Sequence, residues 1–366
     1  LNDSKYGWDA IQLKDEEGNA YDLNAVVKTA SGGNVSVVGA KFDLTDLGGY
    51  VVTYTATVSE KDVRTSVVTV PVYDDDDPVI VIAKPENGLV GHVYTLPTIT
   101  FTDASELIHS GACEAVIIAV PHYLHPSMAI EAMETGLHVI VEKPAGVYTK
   151  QVEEMNAVAA KHPELVYCMD FNQRTNPLYK KVKDLIDSGD LGEMTRVIWI
   201  VTDWYRSQSY YDQGGWRATW DGEGGGVLLN QNPHNLDLWQ WMCGIPKRVK
   251  SQVYYGKHRN IEVEDDLYAL VEYENGATGC YITTVGDAPG TNRLEIDGTN
   301  GKIVVENNEL TFYRLRIPEP EFNATYKGGL GKPEVWECKI PIKGTYTSHP
   351  GIINNFCDCI LKGAKP

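Results

Sequence analysis

Residues 138–144 read His-Val-Ile-Val-Glu-Lys-Pro, a short apolar strand that ends abruptly in an acid, a base and a proline. No other stretch restricts the fold as much, because it completes a βα unit. An apolar run at 115–120 leads into the turn Pro121-His122-Tyr123-Leu124-His125-Pro126, then a helical pattern over 127–135, then a stop at Gly136. Short apolar strands alternating with single helices predict a parallel sheet with crossover helices. Such sheets bind ligands just past the carboxyl ends of their strands, where His122, His125, Glu142 and Lys143 fall. Charged residues at a strand end also serve simply to solvate it, and the strand alone does not separate the two readings.

The α/β character begins at about residue 104 and continues past this unit. A helix is expected over 149–161 with Thr149 as its N-cap. A strand at 165–169 then runs into Asp170-Phe171-Asn172-Gln173-Arg174, and a helix over 177–188 opens on Pro177 and stops at Gly189. Beyond Gly192 long strand patterns dominate, at 195–202, 248–255, 266–273, 277–285, 293–296 and 303–306, with one helix at roughly 227–242. Hairpin turns at Glu274-Asn275-Gly276 and Gly298-Thr299-Asn300-Gly301 predict a mostly antiparallel sheet backed by helices.

The first 105 residues differ. They hold 16 of the acids against 7 bases, which is half of the chain's net charge of −18 in under a third of its 366 residues. Strand patterns at 34–38, 49–58, 64–73 and 79–83 are separated by turn clusters, with no helical period, which predicts an all-β sandwich. The segment Asp43-Leu44-Thr45-Asp46-Leu47-Gly48-Gly49-Tyr50, leading into a Thr/Val/Tyr strand, resembles bacterial immunoglobulin-like domains of surface proteins. Residues 1–76 are therefore expected to form one such sandwich and 77–103 the opening of a second. The run Asp74 to Asp77 offers calcium ligands but reads as a solvated linker.

Charge and cysteine usage exclude some functions. A net charge of −18 without a Lys/Arg stripe argues against nucleic acid as a partner. No apolar run reaches the roughly 20 residues of a membrane-spanning helix. The seven cysteines, 113, 168, 243, 280, 338, 357 and 359, form no CxxC pair, which favours unpaired thiols over a disulfide framework or a metal site.

A second informative segment is Gly224-Gly225-Gly226-Val227-Leu228-Leu229-Asn230-Gln231-Asn232-Pro233-His234, a glycine run opening a helix. On a continuous helix Asn230 and His234 share a face. Pro233 offers the alternative that it occupies a first turn, with Asn232 as cap and Asn230 in the loop before it. A lone histidine on such a helix is more often structural than catalytic. Trp204, Tyr205, Trp216, Arg217 and Trp220 cluster between sheet and helix, and suit either a sugar or a core.

Taken in chain order, Pro121-x-x-x-His125, Glu142-Lys143-Pro144, Phe171-Asn172-Gln173-Arg174, Leu191-Gly192-Glu193 and the Gly-Gly-Gly helix with His234 resemble the Gfo/Idh/MocA dehydrogenases. That family oxidises sugars and cyclic polyols with NAD or NADP. The resemblance implies a truncated Rossmann-type nucleotide-binding domain over 104–172 and an α+β catalytic domain over 173–366. It implies cofactor contacts by Pro121, His122, His125, Glu142, Lys143, Asn172 and Arg174. Substrate contacts are implied for Trp204, Tyr205, Trp216 and Arg217, a charge-stabilising role for Lys143, and proton acceptance by His234 beside Asn230. The family usually carries aspartate at position 230. A homo-oligomer formed through the large sheet and a cytoplasmic location follow from the same resemblance, while the immunoglobulin-like segment implies the cell surface.

The family also opens with a strand, a glycine-rich phosphate loop and a helix. No GxGxxG occurs in this chain, and relatives usually continue past residue 366. The expectation is a bacterial fusion or chimera in which cofactor binding is impaired. Its alternative is a non-catalytic surface module joined to a dehydrogenase remnant.

Overall fold

The computed structural model describes residues 103–364 and four strands ahead of them, at 22–29, 50–59, 62–70 and 79–81. The chain divides into two compact units, Leu1–Asp77 and Pro78–Pro366.

In the first unit β1 (Asp22–Thr29), β2 (Tyr50–Ser59) and β3 (Asp62–Val70) form one antiparallel sheet in that order. The β2–β3 hairpin pairs Val51 with Thr69 and turns between Ser59 and Asp62, as its alternating Thr/Val pattern predicts. β1 was not expected, and the strand predicted at 34–38 lies outside the described residues. A sandwich requires two facing sheets, and the described residues of this unit supply one.

The second unit opens with a correction. β4 (Val79–Val81), expected to start a second immunoglobulin-like copy, instead pairs antiparallel with β5 (Ala115–Ile118), at Val79↔Ile118. An apolar Val-Ile-Val segment suits the edge of any buried sheet, so its composition could not choose the partner. After α1 (Ala104–His109), β5 leads through α2 (His125–Glu134) to β6 (His138–Val141), then through α3 (Thr149–Ala159) to β7 (Tyr167–Met169). Strands β5, β6 and β7 are parallel, and the sheet order is β4-β5-β6-β7. Val139 and Val141 are fully buried beneath α2 and α3, and Ile140, also fully buried, points to the opposite face of the sheet. Tyr148, rather than Thr149, is the N-cap of α3, because the Gln151 side chain reaches back to accept from the Val147 and Tyr148 N–H groups. α4 (Pro177–Asp187) starts as predicted, with the Asn176 side chain accepting from the Leu178 N–H at 3.0 Å.

The rest of the unit is built on β8 (Met194–Val201), α5 (Gln208–Asp212), α6 (Pro233–Cys243), β9 (Arg248–Tyr255), β10 (Glu264–Glu272), β11 (Thr278–Thr284), β12 (Asn292–Gly298), β13 (Gly301–Glu306), β14 (Glu309–Leu315), α7 (Glu319–Thr325), β15 (Val335–Ile340) and α8 (Ser348–Lys362). Its eight-stranded sheet runs β15-β14-β13-β12-β8-β11-β10-β9, and only the β8–β11 pair is parallel. Alternation along β8 buries Val197, Trp199 and Val201, which pack with Leu178, Val182, Leu238 and Trp239 from α4 and α6. α8 returns to the small sheet, where Phe356 meets the His138 ring edge-on. All seven cysteines are unpaired. No helix of the described residues is long and apolar enough to cross a membrane.

The single helix expected over 227–242 is broken in two. Val227–Gln231 forms a π-helical turn, Asn232 interrupts, and α6 starts afresh at Pro233. Proline cannot donate to the preceding turn. The fully buried Asn232 side chain is also held by the sheet, donating to Thr283 Oγ1 and accepting from the Tyr281 hydroxyl. Of the two arrangements open in the sequence, the one with Pro233 in the first turn is adopted.

Candidate active site

The small parallel sheet delivers Glu142 and Lys143 at the end of β6, followed by a cis peptide bond to Pro144. His125, at the start of α2, donates from Nδ1–H to the Pro144 carbonyl at 2.7 Å, fixing this turn. The half-buried Lys143 then reaches across to the segment before α6, donating from Nζ to the Asn230 carbonyl at 2.9 Å and to its side-chain Oδ1 at 3.2 Å. Burial pushes the Lys143 ammonium below its usual range, against the opposing fields of Glu142 and Glu223.

The glycine run makes that approach possible. A side chain on Gly226 would place its Cβ 1.9 Å from the Glu264 carbonyl oxygen, so only glycine lets the two backbones meet. The buried Glu264 carboxylate in turn accepts from the Gly226 and Leu228 N–H groups at 2.8 and 3.1 Å, satisfying the free donors that open the π-helical turn. Asn230 thereby faces Lys143 on one side. On the other its Nδ2 donates to the Glu223 carboxylate, which is 1% exposed.

His234, in the first turn of α6, meets the Phe171 ring edge-on. Its buried Nδ1 has no hydrogen-bond partner. Burial, with the positive charge of Lys143 next, pushes its pKa down to about 4, so the ring is neutral through the physiological range. On a continuous helix His234 and Asn230 would have shared one face. With the helix broken at Asn232, the group that joins them is Lys143, bonded to Asn230 and close enough to depress His234.

The residues expected to contact a cofactor separate into two sets. Glu142 lies beside Asp170 and His349: the His349 Nδ1 is 2.8 Å from Asp170 Oδ2 and 3.5 Å from Glu142 Oε1. Asp170 is 3% exposed and its Oδ1 has no partner. Asn172 bonds the other ring nitrogen of His349 at 2.8 Å and accepts from the Tyr346 hydroxyl. One imidazole and two carboxylates within 4.8 Å of one another form the one cation-capable group among the described residues, although the sequence indicated no metal.

The second set is engaged in holding the fold. Arg174 forms a two-point ion pair with buried Asp237 of α6. His122 bonds the Glu223 carbonyl from Nδ1 at 2.9 Å and is held neutral by burial, with a pKa of about 4. Pro121 is exposed and opens the turn whose carbonyl accepts from Leu124.

The predicted sugar-facing residues form a cation–aromatic cluster. Arg217 stacks on Trp216 and Tyr210, and lies 4.0 Å from Glu223, while His122 meets Trp216 edge-on. Trp204 donates to Asn235 at 3.3 Å and is covered by Arg206; Tyr205, 48% exposed, is stacked by Arg259. Trp216 and Tyr205 keep exposed faces, whereas Trp204 is partly structural. Glu223, Asp170 and His349 were not anticipated. The signal for Glu223 was an acid set directly against a glycine run that must approach other backbone closely.

Comparison with known proteins decides the family. Residues 61–169 match the oxidoreductase family NAD-binding Rossmann fold, and residues 179–304 match the GFO/IDH/MocA C-terminal domain. The chain belongs to the Gfo/Idh/MocA oxidoreductases. The nucleotide-binding match begins at residue 61, ahead of residue 104, where the sequence was expected to open that domain. Among curated Gfo/Idh/MocA relatives, scyllo-inositol 2-dehydrogenase (NAD(+)) of Bacillus subtilis is 27% identical over 213 residues, covering 56% of this chain and 58% of that protein. Levoglucosan dehydrogenase of Pseudarthrobacter phenanthrenivorans is 27% identical over 231 residues, with the same coverage. The chain thus spans a little over half the length of these relatives. Among solved structures, the WlbA dehydrogenase from Bordetella pertussis in complex with NADH and UDP-GlcNAcA superposes with a TM-score of 0.60 at 25% identity, covering 73% of this chain and 74% of that one.

Proposed function

We propose that this chain is an NAD(P)-dependent oxidoreductase acting on a hydroxyl of a sugar or cyclic polyol, with Lys143 and His234 as its catalytic residues. The observation that carries this reading is the pairing of an oriented ammonium with an imidazole held neutral. Removing hydride from a secondary alcohol requires a base for the hydroxyl proton at the same moment. His234, with a pKa pushed to about 4, stands unprotonated to take that proton. Lys143, fixed by Asn230, stabilises the negative charge that develops on the oxygen. Its positive charge also keeps His234 neutral between turnovers.

A nicotinamide cofactor, when bound, supplies the hydride acceptor. The residues at the ends of β6 and β7 fit one: Asp170 Oδ1 is a buried acceptor without a partner, and the other carboxylate oxygen of Asp170 meets the His349 ring that also faces Glu142. The exposed faces of Trp216 and Tyr205 suit a ring with an apolar side. The names of the matched relatives, which include a scyllo-inositol dehydrogenase, a levoglucosan dehydrogenase and a dehydrogenase in complex with UDP-GlcNAcA, agree with that substrate class. Because the chain contains no GxGxxG, we expect it to hold the pyrophosphate weakly, and a micromolar NADH affinity would overturn that expectation. The apolar Tyr268 and Leu270, side by side on the exposed face of β10 in the large sheet, suit pairing with a second copy. The test of function is turnover at saturating NAD or NADP across a panel of inositols, aldoses and anhydrosugars, in the natural chain and in Lys143→Met and His234→Ala. Reduced nicotinamide formed equally by all three proteins would remove these residues from the chemistry.

A further inference from the structure

We propose that Glu223 is a positioning residue that sets the carboxylate charge facing Lys143, acting through the side-chain amide of Asn230. This inference rests on the functional reading in one respect, that Lys143 works at the reacting oxygen. The geometry itself does not depend on it.

The amide of Asn230 lies between an ammonium and a carboxylate, and the two neighbours leave it one orientation. Lys143 Nζ can only donate, so the oxygen Oδ1 must face it, at 3.2 Å. The ionised Glu223 carboxylate can only accept, so Nδ2 must face Oε1. Reversing the amide would set donor against donor and acceptor against acceptor. Asn230 therefore passes the polarity of one charge to the other.

Glu223 is built into place. Its Oε2 accepts from the Ala218 N–H at 2.7 Å, its backbone carbonyl is bonded by His122, and the Arg217 guanidinium is 4.0 Å from Oε1. A carboxyl group only 1% exposed is costly to ionise unless such partners surround it. Here they come from Ala218 and Arg217 on the loop where it sits and from Asn230, while His122 anchors its backbone.

The same arrangement explains why position 230 is an amide. An aspartate there would put a second carboxylate in hydrogen-bond contact with Glu223, and like charges so close cannot both ionise. Glutamate at 223 with asparagine at 230 is a matched pair, in which the negative charge sits one residue further from the ammonium. Other charges also face Lys143. Glu142 adjoins it on the same strand end, Arg217 lies on the loop of Glu223, and His122, His125 and His234 face it from the turn after β5, from α2 and from α6. Of the two carboxylates, only Glu223 connects to Lys143 by way of the Asn230 side chain.

The test reads Lys143 directly in the full chain without cofactor. Competitive labelling with acetic anhydride across a pH series, resolved by peptide mass spectrometry, gives the midpoint at which Lys143 loses its proton. Glu223→Gln should lower that midpoint by about one pH unit, the effect of removing one nearby opposite charge. Moving the charge back, in the double variant Glu223→Gln with Asn230→Asp, should restore it. Asn230→Leu, which breaks the bridge without disturbing the Ala218 contact, should also lower the midpoint and covers the case in which Glu223→Gln does not fold. A midpoint unchanged in Asn230→Leu, or in a folded Glu223→Gln, overturns the proposal, as does failure of the double variant to recover. If the midpoints move as expected while Lys143→Met leaves turnover intact, the Glu223 assignment stands and the functional reading falls.

Discussion

Arg174 and Asp237 form a two-point ion pair, with Nε and Nη2 at 2.8 and 2.7 Å from the carboxylate oxygens, and so tie the turn after β7 to the middle of α6. The arginine that the family motif suggested for cofactor contact is thus bonded to the helix that carries His234 in its first turn. It also lies over the Trp241 ring. Arg174→Ala would leave Asp237, whose side chain is 6% exposed, charged and unpaired. The expected loss is about 2–3 kcal/mol, the range for a charged hydrogen-bonded pair half open to solvent. Urea unfolding measures it, and a loss under 0.5 kcal/mol, the usual limit for a surface change, would show the pair to be incidental.

Removing the base should be visible in rate and in pH dependence. His234→Ala is expected to lower turnover roughly a hundredfold or more. In the natural chain kcat/KM should fall only as pH drops through about 4, the pKa to which burial and Lys143 hold His234. Lys143→Met takes away a positive neighbour, so the histidine pKa should rise and the acid limb move to higher pH. An acid limb that stays in place in Lys143→Met would mean that the two side chains do not interact.

Stability should follow the same histidines. His122 and His234 both have folded-state values depressed to about 4, from an ordinary 6.5, with burial as the first cause. A histidine buried neutral binds its proton more readily when unfolded. Stability contributed by keeping it neutral is therefore complete above about 6.5 and is lost as pH falls towards 4. The melting temperature should decline across that window, and less steeply in His122→Gln. Equal slopes in the two proteins would rule out His122 as a source of the dependence.

Gly226→Ala tests the close approach of the glycine run to β10. Its Cβ would lie 1.9 Å from the Glu264 carbonyl oxygen, so one of the two backbones must move. A destabilisation of about 2 kcal/mol or more is expected from the overpacking, together with loss of the Lys143–Asn230 contact one turn on. A melting temperature equal to that of the natural chain would refute the contact.

Much of this architecture was legible because it depends on local pattern. The run from β5 through α2 to β6 carries its own periodicity, and the Glu-Lys-Pro end of β6 placed Lys143 at a strand terminus before any partner was known. The glycine run and the interruption at Pro233 were equally visible, although Pro233 left two arrangements open. β4 was misassigned because a Val-Ile-Val segment fits the edge of either kind of sheet, and only pairing with β5 distinguishes them.

What the sequence by itself determined is the order of elements, the family motifs, and the chemical types gathered at the site: an ammonium, an imidazole and the aromatic rings. Tertiary structure decided which of these meet. Lys143 and Asn230 are 87 positions apart, and Asp170 and His349 are 179 apart. Periodicity reports the face on which a side chain lies, but not what stands opposite after the chain closes. The role of Glu223 was hidden for the same reason. A carboxylate becomes a buried, directed charge only when its own loop and Asn230 converge on it and replace the water it has lost.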